Sequence, residues 1–188
     1  MGGSIGAILA VGIPVAVLVI AVLMYNGLVR GRTLVNEGWS GIDAQLKRRA
    51  DLIPNLVETV KGYATHEKTT LDELVRLRAG AGASGDVAAR SASEQQITAA
   101  IGKLIAVAEA YPDLKANQNF QNLSQQLGEL EDQIQLARRY YNGAVRNYNV
   151  SVGQFPGNLV AGMFSFHTAQ FFELENEGDR ATPKVSFS

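Results

Sequence analysis

The feature that most constrains this chain is an uncharged stretch near its N-terminus. The first charged side chain is Arg30, and residues 5–24 contain nothing more polar than glycine and one proline. At about 1.5 Å of rise per residue, a helix of that length spans roughly 30 Å, the thickness of a bilayer's hydrocarbon core. The sequence therefore predicts a transmembrane helix whose partner is the lipid around residues 5–24.

A cleaved signal peptide is the alternative, and it requires a basic start and a cleavage site with small residues. Residues 1–4 carry no Lys or Arg, and residues 23–26 offer no such site. We therefore expect a retained anchor over residues 1–29, kinked at Pro14. Basic residues flank only its C-terminal end, at Arg30 and Arg32. The positive-inside rule then places the short N-terminus outside the cell and residues 30–188 in the cytoplasm.

Composition narrows the class of protein. The net charge is −1, so nothing suggests nucleic acid as a partner. The chain has no cysteine, which excludes disulfides, thiol nucleophiles and thiolate metal sites. Residues 30–188 are enough for one soluble domain.

Heptad spacing predicts helical structure with little interruption from the anchor to about Arg78. One apolar column comprises Trp39, Leu46, Ile53, Val60 and Leu74, and the other comprises Ile42, Leu56, Tyr63 and Leu77. Arg49 interrupts the second column, so we expect it to form a structural ion pair whose loss costs more than loss of Lys47 or Arg48. Pro54 is expected either to kink the helix near Ala50 or to begin a new helix.

Residues 79–93 are glycine-rich and read as a flexible loop. Ser91 and Glu94 have capping-box spacing and predict the start of the next helix. Its apolar positions recur at steps of three and four, at Ile97, Ala100, Ile101, Leu104, Ala108 and Tyr111. We expect Pro112 to end this helix and Asp113 to cap the following one.

The third helical segment is the most regular. One heptad column comprises Phe120, Leu127, Ile134, Tyr141 and Tyr148, and the other comprises Leu123, Leu130, Ala137, Ala144 and Ser151. Five repeats without a charged residue predict an antiparallel bundle or coiled coil. Residues 155–157 should stop the helix, and Asn158 should cap a short apolar stretch. The fold class expected is all-α: a transmembrane helix continuing into a bundle of three to four long antiparallel helices, with a short extended C-terminal tail.

No catalytic constellation is recognisable. His66 lies near Glu67 and Asp72, but no pair of ligands has a spacing such as His-x3-His. No Gly-x-Ser-x-Gly motif and no phosphate-binding glycine loop occurs either. We expect no enzymatic activity, no catalytic, cofactor-binding or metal-binding residues and no cofactor. A metal-dependent hydrolase centred on His66 is the least favoured alternative.

The apolar segment 159–172 has two interpretations. It closes the end of the bundle, which is the favoured one, or it forms an exposed patch for a protein, another protomer or the membrane surface. Its lack of Lys and Arg argues against the membrane-surface version.

Several motifs resemble the LemA family across nearly the whole chain. They include residues 39–49 (WSGIDAQLKRR), 51–57 (DLIPNLV), 60–67 (VKGYATHE), 111–116 (YPDLKA) and 155–159 (FPGNL). The resemblance implies a bacterial protein with one N-terminal span, a bundle of long antiparallel helices inside the cell and no established enzymatic activity. Some relatives are associated with magnetosome formation. Tyr-Asn pairs recur at residues 25–26, 141–142 and 148–149, and we expect Asn142 and Asn149 to cap or bridge backbone groups between helices.

These observations predict a non-enzymatic helical scaffold at the bacterial inner membrane, which forms a homo-oligomer and organises partners or membrane. An unknown protein partner is also expected. The alternative is a membrane-stress or signalling adaptor that binds its partner through residues 159–172.

Overall fold

The computed structural model describes residues 2–64, 66–82 and 86–173, and the side chains from residue 10 onward. This part of the chain is helical without strands, which confirms the predicted all-α class. The helices are α1 (Gly2–Lys61), α2 (Lys68–Gly80), α3 (Val87–Ala108), α4 (Pro112–Ala116), α5 (Gln118–Gly153) and α6 (Gly157–Met163). The predicted extended tail lies outside the described residues.

Helix α1 runs without a break from the apolar N-terminal stretch to Lys61. Of the described helices, it alone is long and apolar enough to cross a membrane. Only 6% of the most apolar 18-residue stretch of α1 is buried in the protein. Its outward-facing valines, leucines and isoleucines between Val11 and Leu23 are at least half exposed. The expectation that the apolar stretch continues directly into the first helix of the bundle is confirmed.

The prediction of helical structure with little interruption up to Arg78 is confirmed, with one break, because α1 ends at Lys61 and α2 begins at Lys68. Tyr63 lies in the intervening turn and is exposed, so it does not continue the apolar column. Pro54 does not begin a helix, since α1 passes through it. A proline cannot donate to the carbonyl four residues earlier. Here the Ala50 carbonyl accepts instead from Arg78 Nε, 3.3 Å away.

The flexible loop predicted over residues 79–93 is much shorter. Helix α2 reaches Gly80 and α3 starts at Val87. The capping-box prediction is also wrong, because the Asp86 carboxylate caps α3 by accepting from the Ala89 amide at 2.9 Å. Ser91 and Glu94 therefore lie inside α3, where both are buried.

The chain divides into two compact units, and the first comprises Met1–Gly41 with Ala137–Gln170. A Cβ atom on Gly31 would lie 3.0 Å from Tyr148, and one on Gly38 would lie 3.0 Å from the Tyr141 backbone. Moving seven residues forward along α1, from Gly31 to Gly38, moves the contact seven residues back along α5, from Tyr148 to Tyr141. The two helices are therefore antiparallel in this unit. Glycines on α1 thus allow the large tyrosine column of α5 to approach closely.

The second unit comprises Ile42–Leu136 with the C-terminal residues from Phe171. Its core draws aliphatic side chains from α1 to α5. Fully buried members include Leu56, Val60, Leu74, Leu104 and Leu114. Complete burial of such a side chain is worth about 1.5–3 kcal/mol, so this core is the main stabilising element of the unit.

The third predicted helix is α5, and all five members of its aromatic and aliphatic column are buried, as expected. Asn117 caps it, because its Oδ1 accepts from the Phe120 amide at 3.1 Å. The predicted caps are wrong: Asp113 lies within the first turn of α4, which begins at Pro112, and Asn158 lies inside α6.

Helix α6 ends in a Schellman motif. Ser165 adopts a positive φ of 54°, and the Phe166 amide donates to the Ala161 carbonyl at 2.9 Å. Phe166 and Ala161 are both buried, which supplies the hydrophobic contact that accompanies this motif. The chain is thereby turned from α6 into the irregular segment that follows.

Candidate functional site

A cluster of charged side chains lies inside the second unit, centred on Arg49. Arg49 Nη1 donates to Glu131 Oε2 at 2.8 Å and to Thr98 Oγ1 at 2.7 Å. Arg49 Nη2 donates to Glu94 Oε2 at 2.7 Å and to the Glu94 carbonyl at 3.2 Å. The guanidinium of α1 therefore joins α3 and α5. The predicted structural ion pair at Arg49 is confirmed.

Arg90 extends this cluster on its other side. Its Nε lies 2.8 Å from Glu94 Oε1, at an angle unsuited to a directed hydrogen bond, so the contact is an ion pair. Arg90 Nη2 also lies 3.5 Å from the exposed carboxylate of Asp43. Beside it, the Ser91 hydroxyl donates to the carbonyl of Glu173. Glu94 is thus held between two cations, one on each carboxylate oxygen.

The burial of the cluster indicates a structural role. The side chains of Arg49 and Glu94 are only 2% and 3% exposed. A carboxylate so enclosed has no access to a substrate, whereas a buried ion pair that bonds side chains of three helices fixes the register of those helices. Sequence reasoning found Arg49 by its place in an apolar column, but it misassigned Glu94 to a cap.

The first unit contains an aromatic cluster where the apolar stretch of α1 ends. The Tyr25 ring lies edge-on to Phe164 and Phe166, with centroids 4.8 and 5.6 Å away. The guanidinium of Arg32 stands 5.2 Å from the Phe166 ring centroid, in a cation–π contact. The segment after α6 is therefore packed on the part of α1 that carries Tyr25 and Arg32.

Side chains of α5 hold the backbone of that same segment. Asn149 donates through Nδ2 to the Ala169 carbonyl at 2.9 Å and accepts from the Ala169 amide at 2.8 Å. The Tyr141 hydroxyl donates to the Gln170 carbonyl at 2.8 Å. Asn149 does bond backbone groups, as predicted, but the predicted bridge between helices is wrong for it, because both groups belong to Ala169 in the segment after α6.

Burial also changes the acidity of the α5 tyrosines. Burial raises the pKa of the Tyr141 hydroxyl above 10.0. It raises the pKa of Tyr148 as well, and the nearby positive charge of Arg32 opposes part of that rise. The Tyr141 hydroxyl that donates to Gln170 therefore ionises only at a higher pH than a free tyrosine does.

The segment around α6 is divided between buried and exposed apolar residues, so residues 159–172 are neither wholly part of the interior nor wholly an exposed patch. Val160, Ala161, Phe166 and Phe172 are buried, whereas Phe155, Leu159, Met163 and Phe164 are exposed. We call these last four the apolar face. A cleft of about 280 Å³ adjoins it, lined by Met24, Leu28, Gln154 and Phe155 among others.

The histidine considered for a metal site is exposed. Its neighbour Glu67 accepts a long hydrogen bond, 3.4 Å, from the Tyr111 hydroxyl. Within residues 2–64, 66–82 and 86–173, no group of three or more His, Asp or Glu side chains is arranged to hold a metal ion. The structure thus gives no support to a hydrolase centred on His66.

Comparison with known proteins assigns the family. The sequence model of the LemA family matches residues 38–187, which is most of the chain. This chain belongs to the LemA family. The matched range begins after the apolar stretch of α1 and includes Arg49, Glu94, Asn149 and the apolar face.

Individual relatives of this LemA-family chain come from several bacteria. Magnetosome protein MamQ 2 of Paramagnetospirillum magneticum is 26% identical over 98% of this chain and 77% of its own length. Magnetosome protein MamQ of Magnetospirillum gryphiswaldense is 23% identical over 97% of this chain and 78% of its own. Protein LemA of Metamycoplasma hominis is 29% identical over 79% of this chain and 68% of its own. None of these names denotes an enzymatic activity.

Proposed function

We propose that this chain is a non-enzymatic helical scaffold anchored in the bacterial cell membrane, where it self-associates and organises partners through its helical faces. The observation that carries the proposal is the continuity of α1. One helix presents exposed apolar side chains over its N-terminal part and buried ones from Leu28 onward. The anchor and the helical framework are therefore a single element.

The absence of enzymatic activity is supported by how the ionisable residues are used. Arg49 and Arg90 are paired with Glu94 inside the protein and do not line an accessible cleft. The names of the relatives point in the same direction. Relatives named as magnetosome proteins also support a role in organising a membrane structure.

Membrane anchoring is tested by fractionating cells and washing the membranes with alkaline carbonate. We expect the full chain to stay in the pellet. A lysine near the centre of a span costs about 2.5–3.5 kcal/mol, so Leu18→Lys combined with Ile20→Lys should release it. Leu136→Lys, at an exposed position on α5, is the matched control and should stay membrane-bound. Wild-type protein in the soluble fraction would refute the anchor.

The proposed orientation rests on Arg30 and Arg32, both exposed at the C-terminal end of the apolar stretch. Protease added to intact spheroplasts should leave residues 30–188 uncut, and protease added to inverted membrane vesicles should digest them. The opposite pattern would reverse the assigned topology.

Self-association is supported by the open surface of the anchor. A Cβ on Gly12 would meet no atom within 4 Å, and an exposed glycine on a span lets a second helix approach closely. Light scattering of the full chain in mild detergent should give a multiple of the mass of 20.2 kDa. Gly12→Leu should lower that mass, and a monomer over a wide concentration range would contradict self-association.

A second candidate function is an adaptor that binds a protein through residues 159–172. It is favoured by the exposure of Leu159 and Met163. Deleting the whole segment cannot test it, because Val160 and Phe166 belong to the protein interior. Substitutions confined to the apolar face are the appropriate variants.

A further inference from the structure

We infer that the apolar face is a second membrane contact, which inserts among the lipid headgroups on the side where α1 leaves the bilayer. The inference rests on the proposed anchoring of α1. It assigns an occupant, the bilayer surface itself, to a patch that the protein leaves uncovered.

The first argument is position. The end of the Met24 side chain lies 3.8 Å from the place of a Cβ atom on Gly157, at the start of α6. The Tyr25 ring contacts Phe164, just after α6 ends. Met24 is the last residue of the apolar stretch 5–24, which is long enough to span a bilayer. Both ends of α6 therefore lie where the hydrocarbon region gives way to the headgroups.

The second argument is exposure. Phe155 and Met163 are 73% and 79% exposed, and Leu159 and Phe164 are 59% and 55% exposed. On α6, Leu159 and Met163 are four residues apart and so share one side of the helix. The opposite side is already buried through Val160 and Ala161. Because the side of α6 that carries Leu159 and Met163 is also apolar, it too is stabilised by an apolar environment.

The third argument is charge. Residues 147–172 contain no Asp, Glu, Lys or Arg, so no charged group needs to be dehydrated when the face enters the interface. The basic residues come from α1 instead. Arg30 and Arg32 lie roughly 8–11 Å beyond Tyr25 along the helix, and Arg32 contacts Phe166. The order along α1 is therefore apolar, aromatic and then basic, as at a membrane boundary with anionic lipids.

This arrangement also answers the objection that the segment has no Lys or Arg of its own. The fold brings the arginines of α1 to the segment, although they are more than a hundred residues away in sequence. A protein partner would have to displace lipid from the same position. The bilayer, by contrast, is already there as a consequence of the anchor.

The test uses the full chain reconstituted in phosphatidylcholine–phosphatidylglycerol vesicles. The only tryptophan is replaced through Trp39→Phe, and a single new one is introduced by Met163→Trp, Leu18→Trp or Tyr140→Trp. Lipids brominated at defined depths then quench whichever tryptophan they reach. Tyr140 is the control outside the bilayer, since it packs beside Gly38, roughly 21 Å beyond Met24 along α1.

We expect bromines near the headgroups to quench Met163→Trp and shift its emission to the blue. Bromines deep in the bilayer should quench Leu18→Trp, and neither set should quench Tyr140→Trp. If Leu18→Trp is quenched but Met163→Trp behaves like Tyr140→Trp, the second contact is refuted and the anchor stands. If Leu18→Trp is not quenched, the anchor itself fails.

Because the chain has no cysteine, an independent measurement is available. In the same vesicles, Met163→Cys should react several-fold more slowly with a membrane-impermeant maleimide than Tyr140→Cys, and detergent should abolish the difference. The vesicles contain no other protein. Equal labelling of Met163→Cys and Tyr140→Cys in them would therefore show that lipid leaves the apolar face open to a protein partner, and it would overturn the inference. Met163 is exposed, so neither replacement disturbs the interior.

Discussion

The sharpest test of the second unit is removal of the Arg49 guanidinium by Arg49→Met. The substitution retains a long aliphatic side chain but deletes the groups that bond Glu94, Thr98 and Glu131. Glu131 is 31% exposed and gains water in compensation. Glu94 is 3% exposed and does not, so most of the cost falls on its desolvated carboxylate.

The magnitude follows from what remains beside Glu94. Removing one partner of a buried ion pair costs about 3–5 kcal/mol. Arg90 Nε still lies 2.8 Å from the other oxygen of Glu94, which places the expected loss at the lower end, about 3 kcal/mol. In a chain of this size that loss lowers the melting temperature by about 6–12 °C.

The assay is thermal unfolding of the full chain in detergent, followed by far-ultraviolet circular dichroism. Lys47→Met is the matched control: it removes an exposed cation two residues away and should change stability by no more than about 0.5 kcal/mol. In a double-mutant cycle, the stability lost by the Arg49→Met, Glu94→Gln double variant should be smaller than the sum of the two single losses, with a coupling of about 2 kcal/mol. Equal losses from Arg49→Met and Lys47→Met, or a coupling near zero, would show that the cluster does not join these helices.

Three further predictions concern the first unit, each read out by the same thermal assay. Gly41→Ala should stabilise α1 by about 0.5–1 kcal/mol, because the added Cβ meets open space. Gly38→Ala should destabilise α1, because the added Cβ would lie 3.0 Å from the Tyr141 backbone. Equal effects of the two substitutions would refute the close approach of α1 and α5. Asn149→Leu should cost about 1–3 kcal/mol by orphaning both backbone groups of Ala169, and an equal cost for Leu at the exposed Asn147 would contradict this. The contribution of Tyr141 to stability should be constant below about pH 10 and be lost above it, because its raised pKa favours the neutral phenol of the folded state. Tyr141→Phe should remove that loss, and an unchanged profile would argue against the buried phenol as its cause.

Regular periodicity made α5 predictable. Its column from Phe120 to Tyr148 repeats every seven residues without a break, and all five members are buried. Such a pattern survives folding because every repeat packs in the same way. Arg49 was predictable for a related reason, since a charge within an apolar column must find a partner. The partners of Arg49 could not be predicted, because Glu94 and Glu131 come from α3 and α5, far along the chain.

The errors arose where a local pattern competed with a neighbouring one. Ser91 and Glu94 have the spacing of a capping box, yet Asp86 captures the helix start five residues earlier. Once α3 begins there, Ser91 and Glu94 face the interior and take partners from Glu173 and Arg49. Segment 159–172 was undecidable from composition alone, because the same apolar residues serve the interior at Phe166 and the exposed face at Met163.

The apolar column of α1 carries a further consequence for the anchor. Extended backwards by sevens from Ile42, it includes Val35 and Leu28, both buried. Leu28 is only four residues beyond Met24, so packing against protein begins within about one helical turn of the end of the apolar stretch. No flexible linker fits into that distance. Because the aromatic cluster around Tyr25 occupies this same turn, the proposed change from lipid to protein packing falls at the level of the apolar face. An anchor that served only as a tether would need neither the continuous column nor the second contact.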